Sequence, residues 1–167
     1  MERIDLYDEH ENRVGRTIAR TDPLPDGLYI MGAEVLIRHV DGSYLLLRRS
    51  QNKRAYPGYW EASAGGGAMA GEDALACIQR ELWEETGIRS VRFHELAVTR
   101  EPEYFCHSFL GITNCDKDAV TVQKSEVDEY KWVSQSEFIE FLNSNEVIDT
   151  QKERYREHFS RMKYLKK

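Results

Sequence analysis

Apolar and polar positions alternate along IDLYDEHENRVGRTIAR, Ile4 to Arg20. This pattern predicts a short hairpin with Glu11-Asn12 at its turn. TDPLPDG, with two prolines and a glycine, then breaks the pattern. From Tyr29 the chain turns to strand character: EVLIRH, Asp41-Gly42, then SYLLLRR. Asp-Gly between apolar runs predicts a hairpin turn whose two residues both tolerate positive φ. KRAYPGYW reads as a loop around Pro57-Gly58. The period then shifts to that of a helix, from about Glu72 to Thr86. Gly71 or Glu72 opens it, Gly87 closes it as a left-handed cap, and Leu75, Ile78 and Leu82 form its apolar stripe. VRFHELAVT, YFCHSFLGIT and EYKWV read as strands. SQSEFIEFLNS reads as a serine-capped helix with a Phe138–Phe141–Leu142 face. The sum is an α/β protein, a mixed β-sheet sandwiched between helices.

No internal repeat or low-complexity linker is present, and 167 residues suit one domain. We expect a hairpin arm over residues 1–27, a core over 28–145 and a basic C-terminal helix over 146–167. Residues 151–167 hold seven Lys or Arg against Glu153 and Glu157, which takes the chain from −11 without them to −6 with them. Tyr155, Phe159 and Met162 share one face of that segment, which predicts a helix docked on an acidic body, the alternative being a nucleic-acid or membrane role for the tail. The net charge of −6 argues against a nucleic-acid partner. The N-terminus lacks the apolar run of a signal peptide, and no segment is long enough to span a membrane. Cys77, Cys106 and Cys115 form no CxxC pair, so a reduced, cytoplasmic setting is expected and a zinc site is not.

The chemistry concentrates in GGAMAGEDALACIQRELWEETGI, Gly66 to Ile88. Residues three and four apart are neighbours on a helix, so Glu81, Glu84 and Glu85 converge on one patch beside the apolar stripe. Left bare, such like charges oppose the helix by a few tenths of a kcal/mol per pair. Arg80 is a single cation. The patch is either a solvated face or a place for a hard divalent ion, Mg²⁺ or Mn²⁺, which carboxylate oxygens bind.

Gly66, Glu72, Arg80, Glu81, Leu82, Glu84, Glu85, Gly87 and Ile88 stand at every specified position of the signature of the Nudix hydrolase family, which this stretch resembles. A match of this kind arises by chance in about one chain in ten million, so the solvated-face reading is set aside. The resemblance implies that Glu81, Glu84 and Glu85 are metal ligands, joined by the main-chain carbonyl near Gly66. It implies that Arg80 orients Glu81 and that Glu72 pairs with backbone or arginine within the same loop. It further implies cleavage of a diphosphate bridge in a nucleoside diphosphate derivative or related pyrophosphate by water attack on phosphorus. Glu84 and Glu85 are both candidates for the general base. Glu126, six residues before Trp132, stands where family members commonly carry a further carboxylate; the alternative is an exposed loop acid. Glu101 and Glu103 are weaker candidates.

For the phosphates, LLLRRSQNK offers Arg49 and Lys53. Arg48 and Arg49 face opposite sides of a strand, so at most one points into the cleft. Tyr59 and Trp60 either stack a base or pack as buried aromatics. The order DLYDEHENRVG, LLLRRSQNKRAYPGYW and a small-residue turn is also similar to isopentenyl diphosphate isomerases, which share the fold. Those enzymes need a cysteine and a histidine where this chain has Gly65 and Gly67. The reading is therefore a hydrolase of the isomerase-like branch. A non-catalytic nucleotide sensor is the third option, and the oligomeric state stays open, with a homodimer through the N-terminal arm as one assembly.

Overall fold

The computed structural model describes residues 1–166. β1 (Arg3–Tyr7) and β2 (Arg13–Ala19) form a separate antiparallel hairpin. Its turn lies at the expected place, because Asp8 accepts the backbone N–H groups of His10 and Asn12, both at 2.9 Å. Tyr7 and Tyr29 exchange backbone hydrogen bonds and tie the hairpin to the body.

The body is a seven-stranded mixed sheet. β3 (Ile30–His39), β4 (Tyr44–Arg49), β5 (Trp60–Glu61), β7 (Val91–Arg100) and β8 (Tyr104–Thr113) run in the order β5-β4-β3-β8-β7. β6 (Ser63–Gly67) pairs with β3, and β9 (Val127–Val133) pairs with β4. β3 and β8 are parallel; the other pairs are antiparallel.

Both faces of β3 and β4 are covered, which explains their nearly unbroken apolar sequence. Val35, Ile37, Leu45 and Leu47 pack under α1 (Ala74–Thr86), against its Cys77, Ile78 and Leu82. Leu36, Tyr44 and Leu46 face the other way, toward α2 (Gln135–Leu142) and the tail helices α3 (Asp149–Arg154) and α4 (Arg156–Arg161). Phe138, Phe141, Leu142, Tyr155 and Phe159 fill that second layer. Among the described residues no helix is long and apolar enough to cross a membrane.

Four local expectations need correction. In the β3–β4 turn only Gly42 takes positive φ, at 95°. His39 receives the turn hydrogen bond of Gly42 and closes on Ser43, which leaves Asp41 in an ordinary conformation. SAGGG is a strand rather than a turn: β6 lies so close to β3 that a Cβ on Gly65 would come within 2.4 Å of the Ala33 carbonyl oxygen. α1 begins at Ala74, not near Glu72, because Asp73 caps it by accepting the Ala76 N–H at 2.7 Å. Its inward face is accordingly Ala74, Cys77, Ile78, Glu81, Leu82 and Glu85, and Leu75 is 43% exposed. The tail breaks at Tyr155 into two short helices, and Met162, beyond the end of α4, is exposed.

Candidate functional site

Arg80 organises the acidic helix. Its guanidinium donates to Glu72 at 2.7 and 2.9 Å, to Glu81 at 2.8 Å, to Glu84 at 3.2 Å and to the Gly67 carbonyl at 3.1 Å. Glu72 also accepts the Met69 N–H at 2.8 Å, so it locks the loop before α1 from outside the helix. Arg80 beside it holds its carboxyl below the usual carboxylate range. Gly87 ends the helix in the left-handed conformation, φ 73°.

The three helix carboxylates are not equivalent. Glu84 faces solvent. Glu81 is buried against Gly66, whose carbonyl also accepts from the Cys77 thiol at 3.5 Å. Burial raises the proton affinity of Glu81 even though Arg80 opposes the shift. Glu85 is buried as a residue, its carboxylate oxygens keep some access to solvent, and among the described residues they make no hydrogen bond or ion pair. Loss of solvation, followed by the nearby charges of Glu61 and Glu81, pushes Glu85 well above the carboxylate range; Lys53 opposes and Glu126 adds to the push.

β4 and the following loop bring the remaining candidates. Arg49 donates to both oxygens of Glu61, at 3.1 and 3.0 Å, and to the Ala55 carbonyl. Arg48 turns the other way, to Glu129. Lys53 contacts Glu126, whose backbone carbonyl accepts the Ser50 N–H at 2.9 Å. Glu61 was not legible as a site residue. It lies half-buried in two-residue β5, and loss of solvation lifts it to about 7 against the pull of Arg49.

A cleft of about 360 Å³ opens beside these groups, lined by Arg20, Glu34, Arg49, Glu61, Tyr104 and Arg154 with the Gly65–Gly67 backbone. Trp60 does not line it. It projects from the opposite side of β5, packs against the second apolar layer and carries Lys131 over its ring at 4.2 Å. Tyr59 is also outside the cleft and is 47% exposed. Glu101, one of the weaker acidic candidates, is held by Arg154.

Glu85, buried, without a partner and within electrostatic reach of Glu61, Glu81 and Glu126, is the donor chemistry that suits a hard divalent cation. Among the described residues no three acidic, histidine or cysteine side chains are gathered around one point. Arg80 holds Glu81 and Glu84, and Lys53 holds Glu126.

Comparisons place this geometry in a known context. The NUDIX domain family profile matches residues 28–156. An uncharacterized Nudix hydrolase of Listeria monocytogenes is 31% identical over 154 residues, 89% of each chain. One of Pseudomonas aeruginosa is 31% identical over 136 residues, 79% of this chain and 78% of its own. A solved protein of Deinococcus radiodurans shares the fold, with a TM-score of 0.72 at 21% identity over 93% of this chain and 98% of that one. The acidic helix, its arginine hub and the glycine strand beneath it thus sit within a matched NUDIX domain, and the chain belongs to the Nudix hydrolase family.

Proposed function

We propose that this protein is a divalent-metal-dependent hydrolase that cleaves the diphosphate linkage of a nucleoside diphosphate derivative or related pyrophosphate. The observation that carries the reading is Glu85, a buried carboxylate without a protein partner among the described residues, inside a complete Nudix signature. Glu81, Glu84, Glu85 and Glu126, with the Gly66 carbonyl, would hold Mg²⁺ or Mn²⁺. Bound there, the cations would neutralise the diphosphate and lower the pKa of a coordinated water.

The chain's own residues divide the remaining work. Arg80 fixes the rotamer of Glu81 through a charge-assisted hydrogen bond and anchors the loop through Glu72. Arg49 is oriented by Glu61 and the Ala55 carbonyl, at the cleft wall where it meets a phosphate oxygen. Lys53 adds a second phosphate contact and exchanges its bond to Glu126 for one to substrate. Glu84 or Glu85 accepts the proton of the attacking water.

The isomerase alternative requires a thiol and an imidazole in the small-residue strand, and Gly65 and Gly67 supply neither. Cys106 does line the cleft, but burial pushes its thiol up to about 12. The test is incubation with Mg²⁺ or Mn²⁺ and a set of nucleoside diphosphate derivatives, with isopentenyl diphosphate alongside and products read by mass. Metal-dependent cleavage of a diphosphate bridge supports the reading. Ligand binding without cleavage would make the protein a sensor, and isomerised isopentenyl diphosphate would restore the alternative.

A further inference from the structure

The C-terminal tail enters the cleft. Arg154, at the end of α3, lines it together with Tyr104 and Glu34. Arg154 donates to Glu34 at 2.9 Å and to Glu101 at 2.8 and 2.6 Å. It also contacts the Tyr104 hydroxyl, with its guanidinium carbon 5.5 Å from the ring centroid. Three residues earlier on the same helix, the Gln151 amide is buried. Its oxygen accepts the Ala62 N–H at 2.8 Å, and its nitrogen donates to Ser63, another residue of the cleft wall. These two side chains, one helical turn apart, stitch α3 to β5–β6 and to β8.

We propose that α3 is a wall of the substrate cleft and that Arg154 is a specificity-determining residue, which selects a small hydroxylated group, of the size of a sugar, beyond the scissile diphosphate. The proposal rests on the hydrolase reading above. Three features of the wall support it.

First, the cleft lining is mixed, but the part that Arg154 reaches is polar: Ile30, Met31 and Ala33 line it elsewhere, while Glu34, Ser63, Tyr104 and Arg154 face it here, and Glu34 is fixed by both Arg154 and Ser108. A bare apolar chain placed there would leave these groups without new partners. Second, Trp60 and Tyr59 lie outside the cleft, so they offer a base no stacking platform within it. Third, about 360 Å³ is at the small end of the roughly 300–1,000 Å³ range of ligand pockets. The second Nη1 hydrogen of Arg154 has no partner among the described residues and is available to a hydroxyl oxygen.

The experiment uses substrates that differ only beyond the diphosphate: ADP-ribose and UDP-glucose against ADP and UDP, with isopentenyl diphosphate as the apolar case. Arg154→Lys keeps the charge and loses the planar fork; Tyr104→Phe keeps the ring and loses the hydroxyl, should Arg154→Lys not fold. Each variant is expected to raise KM for the sugar-bearing substrates roughly tenfold and leave their kcat unchanged. Values for ADP and UDP should not move. A uniform change across all substrates, or none, overturns the proposal, because a merely structural residue would not discriminate between them.

Binding of ribose 5-phosphate by calorimetry separates this claim from the hydrolase reading. If no diphosphate is cleaved but ribose 5-phosphate binds the wild type and binds Arg154→Lys roughly tenfold more weakly, the hydrolase reading falls and the role of Arg154 stands. Cleavage without any preference for the sugar-bearing substrates retains the hydrolase and removes the proposal. Neither cleavage nor binding removes both.

Discussion

Glu81 lies directly against the backbone of Gly66: a Cβ at Gly66 would come within 2.4 Å of the Glu81 carboxylate carbon. The glycine is therefore needed for close approach, since it lets a buried carboxylate and a main-chain carbonyl share one corner of the site. Gly66→Ala is expected to displace the Glu81 carboxylate and weaken the response to Mg²⁺; the clash falls on the flexible end of a side chain, so the cost in stability is at the low end of overpacking, about 1 kcal/mol. Chemical denaturation with and without Mg²⁺ checks this. An alanine variant of unchanged stability and metal response would mean that Glu81 moves aside freely.

Arg80 holds Glu72, Glu81 and Glu84 at once. Arg80→Ala leaves the buried Glu81 without a cation and unlocks the loop before α1. Affinity for Mg²⁺ should fall by about 10–100-fold, as when a residue that orients a metal ligand is removed. Calorimetric titration measures it, and wild-type affinity would assign Arg80 to folding alone.

Lys53 and Glu126 were separate candidates, one for phosphate and one for metal, and the fold brings them into contact. Lys53→Ala should raise KM for a diphosphate substrate about tenfold. Steady-state kinetics decides the matter. An unchanged KM would move the phosphate contact to Arg49 or Arg20, both of which line the cleft.

Glu61 titrates near 7 in the folded chain because burial outweighs its pairing with Arg49, against 4.5 for a free glutamate. Between those values the unfolded chain has released the proton and the folded chain keeps it. The stability linked to this group is therefore full below about pH 4.5 and declines as pH rises to about 7. In chelating buffer the melting temperature should fall across this window, and Glu61→Gln should flatten the decline by on the order of 2–3 kcal/mol. Equal slopes in the two proteins would place the titration elsewhere.

The acidic helix was legible because its chemistry is local: Arg80, Glu81, Glu84 and Glu85 fall within two turns, and helical geometry alone brings them together. The β3–β4 hairpin and the Phe138–Phe141–Leu142 face were legible for the same reason. β6 was not, since SAGGG lacks the side chains that mark a strand; its pairing depends on glycines that let it pass close to β3. Glu61 looked like an isolated acid after Trp60, and only its pairing with Arg49 and its place beside Glu85 mark it. Arg154 lies 120 residues from Glu34, so no window of sequence could join them. The basic tail gave a partial signal, a positive segment docked on a negative body, without showing which arginine turned inward.

Glu85 decides whether the acidic helix is a metal site. Cleavage of a nucleoside diphosphate derivative in Mg²⁺ should be compared between the wild type and Glu85→Gln, with circular dichroism establishing that both are folded. Metal-dependent cleavage is expected from the wild type, and the folded variant should lose most of it and bind Mg²⁺ more weakly. Full activity in Glu85→Gln would contradict the metal site and the assignment of the buried carboxylate on which it rests.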